Sequence, residues 1–307
     1  MYVKEPAKII LFGEHFVVHG SCAVSFAIDR FVHVNISLAK SFNLTIKFYD
    51  GSMFSYDIDS DVDIVKYACF LMDKLKIPQK INVNIQLDFP ISAGLGSSAS
   101  MAAALAKALS MLKYGYIPSF QTIYDLANEF EKRVHGNPSG IDLHTILTRK
   151  IILYDGKSKR ILDSTINENL KVIIADTLDR RKTGVLVSNV AKIKSRYVDL
   201  FNKLVDISNV IAKEGFKILK YNGAIEELGK LMMINHGLLY SIGVSTKRID
   251  NLVHTAIENG ALGAKLTGAG GGGCIIALAR EEDTPYVVQS LKENGADVMV
   301  VKPYYEV

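Results

Sequence analysis

Lys8, Glu14, His15, Ser97, Ser98 and Asp142 are side chains able to do chemistry, and each sits beside a glycine-bearing or strand-ending segment. Residues 90–100 read PISAGLGSSAS. Before them, INVNIQLDF alternates as a strand does; after them, SSASMAAALAKALSMLK is rich in strong helix formers. Gly94 and Gly96 allow a tight bend and close approach of a ligand, and Ser97 and Ser98 are of the helix-capping type. Strand, glycine-serine loop and helix N-terminus together suit a phosphate group held on backbone N–H groups. Taken alone, such a loop is equally well a plain turn. A second segment, Gly268 to Gly273, satisfies GxGxxG, but the strand-like CIIALA follows it where a dinucleotide fingerprint needs a helix. Five glycines in those six residues cost backbone entropy, about 0.5–1 kcal/mol each, so this loop is expected to pass close to a ligand or another backbone. The third segment runs from Asn137 to Asp142, with Pro138 and Gly140 marking a turn. Asp142 alone would more often be a cap than a catalyst, Lys8 a solvated edge residue and His15 a structural histidine. The apolar FVV that follows Glu14 and His15 argues against a surface accident there.

These groups need a scaffold, and 307 residues at 49% hydrophobic and 22% charged can build one. A net charge of +4 without a long basic block argues against nucleic acid. No run approaches the roughly 18 apolar residues of a membrane span. Three cysteines without CxxC spacing fit neither a disulfide framework nor a zinc site and suit a reducing cytoplasm. Strand patterns cover 9–12, 33–39, 44–50, 81–87, 151–155 and 171–176; helical patterns cover 63–75, 97–113 and 122–134. Past about residue 183 the chain reads as mostly helical, closed by strands at 273–279 and 297–305 around one helix. The reading is an α+β protein of two lobes joined near residue 160. Neither a Walker A motif nor the protein-kinase signature set is present.

The order of the motifs carries more than any one of them. PISAGLGSSAS resembles the phosphate-binding loop of the GHMP kinases, and KLTGAGGGGC resembles their C-terminal glycine motif. The resemblance spans about Lys8 to Cys274; KIILFGEHFVVHG, EKRVHGNPSGID and MINHGLLYSIGVS are most similar to the mevalonate kinases within that family. It implies a two-lobed fold: an N-terminal lobe of the ribosomal protein S5 domain 2 type (1–160) that binds ATP, and a ferredoxin-like C-terminal lobe (161–307). It implies ATP and Mg²⁺ as cofactors and mevalonate as acceptor, phosphorylated on its C5 hydroxyl in isoprenoid biosynthesis. Pro90, Ser92, Ala93, Gly94, Leu95, Gly96, Ser97, Ser98 and Ala99 would hold the nucleotide. Ser98 (or Ser97) and Glu131 would hold the metal, and Asp142 would be the catalytic carboxylate with Lys8 beside it. Glu14, His15, Arg181, Thr183 and Gly270 would face the acceptor.

Phosphoryl transfer asks for positioning and charge neutralisation, and Mg²⁺ for oxygen ligands, which fits these residue types. The chain departs from the family's pattern in places. Leu143-His144 follow Asp142 where Asn is usual, Arg149-Lys150 replace a glycine pair, and Arg180-Arg181-Lys182 is more basic than the usual Pro-Arg-Ser. That basic run keeps a phosphorylated acceptor open, as for a phosphomevalonate kinase; a mevalonate 3-kinase is another rival. A non-catalytic sensor on the same fold is the alternative of another class, opposed by Lys8, Glu131 and Asp142 occurring together. The sequence leaves the oligomeric state open, a homodimer included.

Overall fold

In the strand β5 (Ile81–Leu87) Ile81, Val83, Ile85 and Leu87 are buried and alternate with more accessible residues, the signature of a strand with one face on a core. The computed structural model describes residues 1–136, 138–164, 170–179 and 183–305. These pack as two compact units. Unit 1 comprises Met1–Lys8, Asp29–Ile91 and Leu95–Arg149; unit 2 comprises Ile9–Ile28, Ser92–Gly94 and Lys150–Val307. The first strands, β1 (Tyr2–Phe12) and β2 (Cys22–Leu38), each contribute residues to both. Unit 1 therefore lies wholly inside 1–160, whereas unit 2 also draws three pieces from that range, 9–28, 92–94 and the stretch from 150.

In unit 1, β5 pairs antiparallel with Val32–Leu38 of β2 and parallel with β3 (Asn43–Lys47), which pairs with β4 (Met53–Tyr56). The helices here are α1 (Asp63–Leu75), α2 (Ser97–Tyr114), α3 (Phe120–His135) and α4 (Ile141–Thr148). Alanines 102, 103, 104, 106 and 108 of α2 are fully buried, so small side chains let neighbouring helices come close. The Tyr67 hydroxyl of α1 lies 3.2 Å from Ala102 O and 3.1 Å from Leu126 O, tying α1 to α2 and α3. Ser119 caps α3 by accepting a hydrogen bond from Thr122 N–H.

In unit 2, Cys22–Ser25 of β2 pair with β6 (Ile151–Asp155), and β6 with β7 (Ile161–Ser164). A second sheet holds β8 (Val172–Asp176), β9 (Ala261–Leu266), β10 (Cys274–Ala279) and β11 (Asp297–Val301) in the order β11-β8-β10-β9, all antiparallel. With α5 (Thr183–Arg196), α6 (Val198–Lys220), α7 (Ile225–Ser241) and α8 (Lys247–Glu258) between its first two strands and α9 (Thr284–Glu293) before the last, this is a ferredoxin-like arrangement enlarged at the first crossover. Phe16, Phe201, Leu239, Ile249 and Leu266 are fully buried in its core.

Several expectations are corrected. Ser97 and Ser98 are the first residues of α2 and not its cap; that position is Gly96, at φ +78°, with no side-chain cap. Asp142 lies in the first turn of a helix, α4, that the turn signal hid. β2 runs eleven residues further toward the N-terminus than the alternating stretch at 33–39, and β9 went unread. The last strand ends at Val301; Pro303 makes only an isolated bridge to Ile28.

Candidate active site

β1 of unit 1 places Lys8 almost out of water, at 3% exposure, with its Nζ 3.1 Å from Asp142 Oδ1. Backbone fixes both ends of this pair. Lys8 N–H donates to Leu95 O at 3.0 Å, which pins the strand to the phosphate-type loop. Asp142 sits on α4, whose N-cap Gly140 has φ +82°; a Cβ there would come within 2.4 Å of the Tyr124 hydroxyl. Gly96 is required for a related reason: a Cβ would lie 2.8 Å from both Cγ and Cε of Lys8. Its bareness therefore serves the lysine's passage, whatever it also does for a phosphate.

Glu131, near the end of α3, is also 3% exposed. Its Oε1 has no hydrogen-bond partner, and its Oε2 is 3.9 Å from His135 Nε2. Burial pushes its carboxyl above the ordinary value; a hydrogen bond from Ser98 opposes that rise and the nearby Asp142 charge adds to it. Ser98 Oγ is 3.2 Å from His135 Nε2. Among the described residues no three His, Cys, Asp or Glu side chains cluster as a metal cage. A buried carboxylate oxygen left over beside a serine hydroxyl suits a hard cation that draws its other ligands from phosphate and water.

Unit 2 holds a second constellation. Gly13, at φ +95°, turns the chain so tightly that a Cβ would meet Cys22 O at 2.3 Å. The turn delivers Glu14, 3% exposed, to the fully buried Lys265 of β9, with which it is hydrogen-bonded. Lys265 also donates to Leu266 O at 2.6 Å; burial lowers its affinity for a proton and Glu14 opposes that. His15, in the left-handed region at φ +61°, places Nε2 2.8 Å from Ala269 O. A carbonyl accepts, so Nε2 carries the hydrogen; burial holds the imidazole pKa down, with the Ala269 bond opposing.

The glycine loop packs on backbone. Cβ atoms would meet Val244 O at 2.2 Å from Gly270, Asp179 O at 2.5 Å from Gly272, and Gly94 Cα at 2.9 Å from Gly268. Gly271 N–H donates to Val244 O at 2.8 Å. Behind it His236 Nδ1 accepts from Leu266 N–H at 3.4 Å, leaving Nε2 to donate to Asp250 Oδ1 at 3.3 Å. Sequence reasoning missed Lys265, His236 and Asp250; a lone lysine inside the apolar ALGAKL was the available signal for the first.

Of the loop residues, Ala93 and Leu95 are buried, while Pro90, Gly94, Ser97 and Ser98 are half-buried; Ser92 has φ +56°, and Ala99 is buried in α2. Thr183 opens α5, whereas Arg181, with Arg180, Lys182 and Asn137, lies outside the described residues.

Residues 63–149 match the GHMP kinases N terminal domain and residues 214–297 the GHMP kinases C terminal domain. A mevalonate kinase of Thermococcus sibiricus is 33% identical over 97% of this chain and 94% of its own length. The chain belongs to the GHMP kinase family. Among solved structures, the mevalonate kinase of Methanococcus jannaschii superposes with a TM-score of 0.85 at 29% identity, covering 99% of this chain and 98% of that one. The L. major mevalonate kinase in complex with R-mevalonate gives 0.84 at 27% identity over 100% of this chain and 97% of that one. The two-unit α+β architecture is that of a GHMP kinase.

Proposed function

We propose that this GHMP kinase transfers the γ-phosphoryl group of ATP to the C5 hydroxyl of mevalonate, with Asp142 and Lys8 at the reacting atoms. The observation that carries the assignment is the 3.1 Å Lys8–Asp142 pair, fixed at both ends by backbone. Asp142 orients the acceptor hydroxyl and takes its proton as the oxygen attacks phosphorus. The Lys8 ammonium supplies positive charge where negative charge develops. The loop from Pro90 to Ala99 binds the phosphates through backbone N–H groups at the start of α2. Glu131 Oε1 and the Ser98 hydroxyl would hold Mg²⁺, which when bound neutralises phosphate oxygens. Glu14, His15, Arg181, Thr183 and Gly270 are assigned to mevalonate. Support for the first two is that Lys265 and Ala269 hold them in single orientations. With three free thiols the protein fits a reducing compartment, and we assign it to the cytoplasm.

The test has two parts. ADP release is measured with mevalonate, phosphomevalonate, galactose and homoserine separately, and mevalonate is expected to give the highest kcat/KM. A higher value for phosphomevalonate, which the basic Arg180-Arg181-Lys182 would favour, overturns the acceptor and keeps the kinase. In the second part Asp142→Asn should lower kcat by about 10²–10⁴-fold with nucleotide affinity nearly unchanged. Retention of more than about a tenth of wild-type kcat removes Asp142 from the proton transfer.

A further inference from the structure

Glu5 is fully buried in unit 1, yet it carries a charge and meets two cations. Its Oε1 accepts from Lys107 Nζ at 2.7 Å and from Arg149 Nη2 at 3.0 Å; the two basic side chains are 12% and 15% exposed. The three residues come from three different elements. Glu5 lies on β1, three positions before Lys8. Lys107 lies on α2, whose first turn holds Ser97 and Ser98. Arg149 is the C-cap of α4, seven positions after Asp142 and so about two turns further on. A single carboxylate oxygen thus joins the three elements that carry the lysine, the phosphate loop's helix and the catalytic carboxylate. Ser100 of α2 adds a second tie to β1 through its hydroxyl, which donates to Pro6 O at 2.7 Å.

Burying three charges is a poor way to gain stability, because desolvation offsets most of the Coulombic attraction, and apolar side chains of similar volume do as well or better. What a buried ion cluster supplies is registry: its contacts form in one arrangement and breaking them leaves a buried charge uncompensated. Nor does Arg149 hold its place through backbone preference. It sits at φ +55°, a conformation in which glycine would be more comfortable. We infer that Arg149, through Glu5, is a positioning residue for phosphoryl transfer: it sets the register of α4 against β1 and so holds Asp142 at Lys8. The inference rests on the assignment of Lys8 and Asp142 as the reacting pair.

Arg149→Gly is the informative variant, since glycine fits the left-handed backbone while the tie to Glu5 is lost. The readouts are kcat, the KM for ATP and for mevalonate, and amide hydrogen exchange over 141–148. The expected result is faster exchange confined to α4 and a kcat at least tenfold lower, with both KM values within about threefold of wild type. Arg149→Lys keeps the charge without the planar fork and should recover part of that kcat. A kcat within about twofold of wild type in Arg149→Gly overturns the inference, whatever the exchange shows. So does a loss of turnover matched by a rise in KM for ATP, which would report a general collapse of the unit. If Arg149→Gly fails to fold, Arg149→Lys decides alone, an unchanged kcat overturning the role. Should Asp142→Asn prove active, the catalytic pair itself is wrong; an unchanged Arg149→Gly beside a dead Asp142→Asn overturns only the positioning role.

Discussion

Glu131 shows what burying a single carboxyl costs. Burial lifts its carboxyl pKa above the ordinary 4.5, so in the folded protein the ionised form is the costly one. A value raised on folding contributes stability that is complete below the unfolded pKa and lost as pH rises through the folded one. Gln copies the protonated form. Glu131→Gln is therefore expected to melt at a higher temperature than wild type near neutral pH without nucleotide, with the gap closing as pH falls through the folded value and gone below about 4.5. The same variant should lose its dependence on Mg²⁺ and at least about tenfold in kcat. Melting curves at several pH values, with a magnesium titration of activity, check both halves; a neutral-pH melting point below wild type would contradict the burial argument. Residues of this kind were only partly legible in the sequence. Lys8, Ser98, Glu131 and Asp142 stand in recognisable strings. Glu14 was read, but its partner Lys265 lies 251 positions away, and no local pattern announces a pairing over that span. The same holds for Glu5 with Arg149, 144 positions apart.

At the scale of elements, the glycine segments at 92–94 and 268–273 meet within unit 2. Gly94 and Gly268 approach so closely that a Cβ on Gly268 would lie 2.9 Å from Gly94 Cα, backbone that cannot step aside as a side chain could. Gly268 also holds φ +78°, where alanine is strained. Gly268→Ala should displace the 92–94 turn and weaken ATP binding by about tenfold, roughly 1.4 kcal/mol, in a protein that still folds. Calorimetric titration with a nucleotide measures it directly, and an unchanged Kd would dissociate the C-terminal glycines from nucleotide binding. The long periodic elements were readable: α1, β5 and β6 keep the bounds their patterns gave. Short ones were not. α4 has eight residues and begins after Pro138 and Gly140, whose turn chemistry outweighs so little periodicity. β9 has six, and its glycine and buried lysine break the apolar run that marks its neighbour β10.

The whole molecule is not divided where its sequence changes character. Unit 2 includes Ile9–Ile28, and Phe16 from that stretch is fully buried in the unit's core with its ring 5.9 Å from Phe201. Phe12 likewise fills the space over Gly215, where a Cβ would come within 2.2 Å of its ring. A fragment of 161–307 lacks these residues and the β2 and β6 pairing. Expressed alone, it is expected to give no cooperative thermal transition, because removing large buried aromatics costs about 3–5 kcal/mol each against a total stability of only about 5–15. Scanning calorimetry of that fragment beside the full chain is the check; a sharp transition in the fragment would show that the C-terminal half is complete without them. Among the described residues no helix is long and apolar enough to cross a membrane.

The bridge between Ile28 and Pro303, with Tyr304 N–H donating to Ala27 O, sets a timetable for synthesis. The first half of β2 is made long before Pro303 and Tyr304, the residues that meet Ile28 and Ala27. At ~5–20 residues per second, that apolar stretch waits many seconds without its final partner. The growing chain therefore carries this stretch uncovered until Pro303 and Tyr304 are made, and a chain cut short before them would leave it uncovered for good.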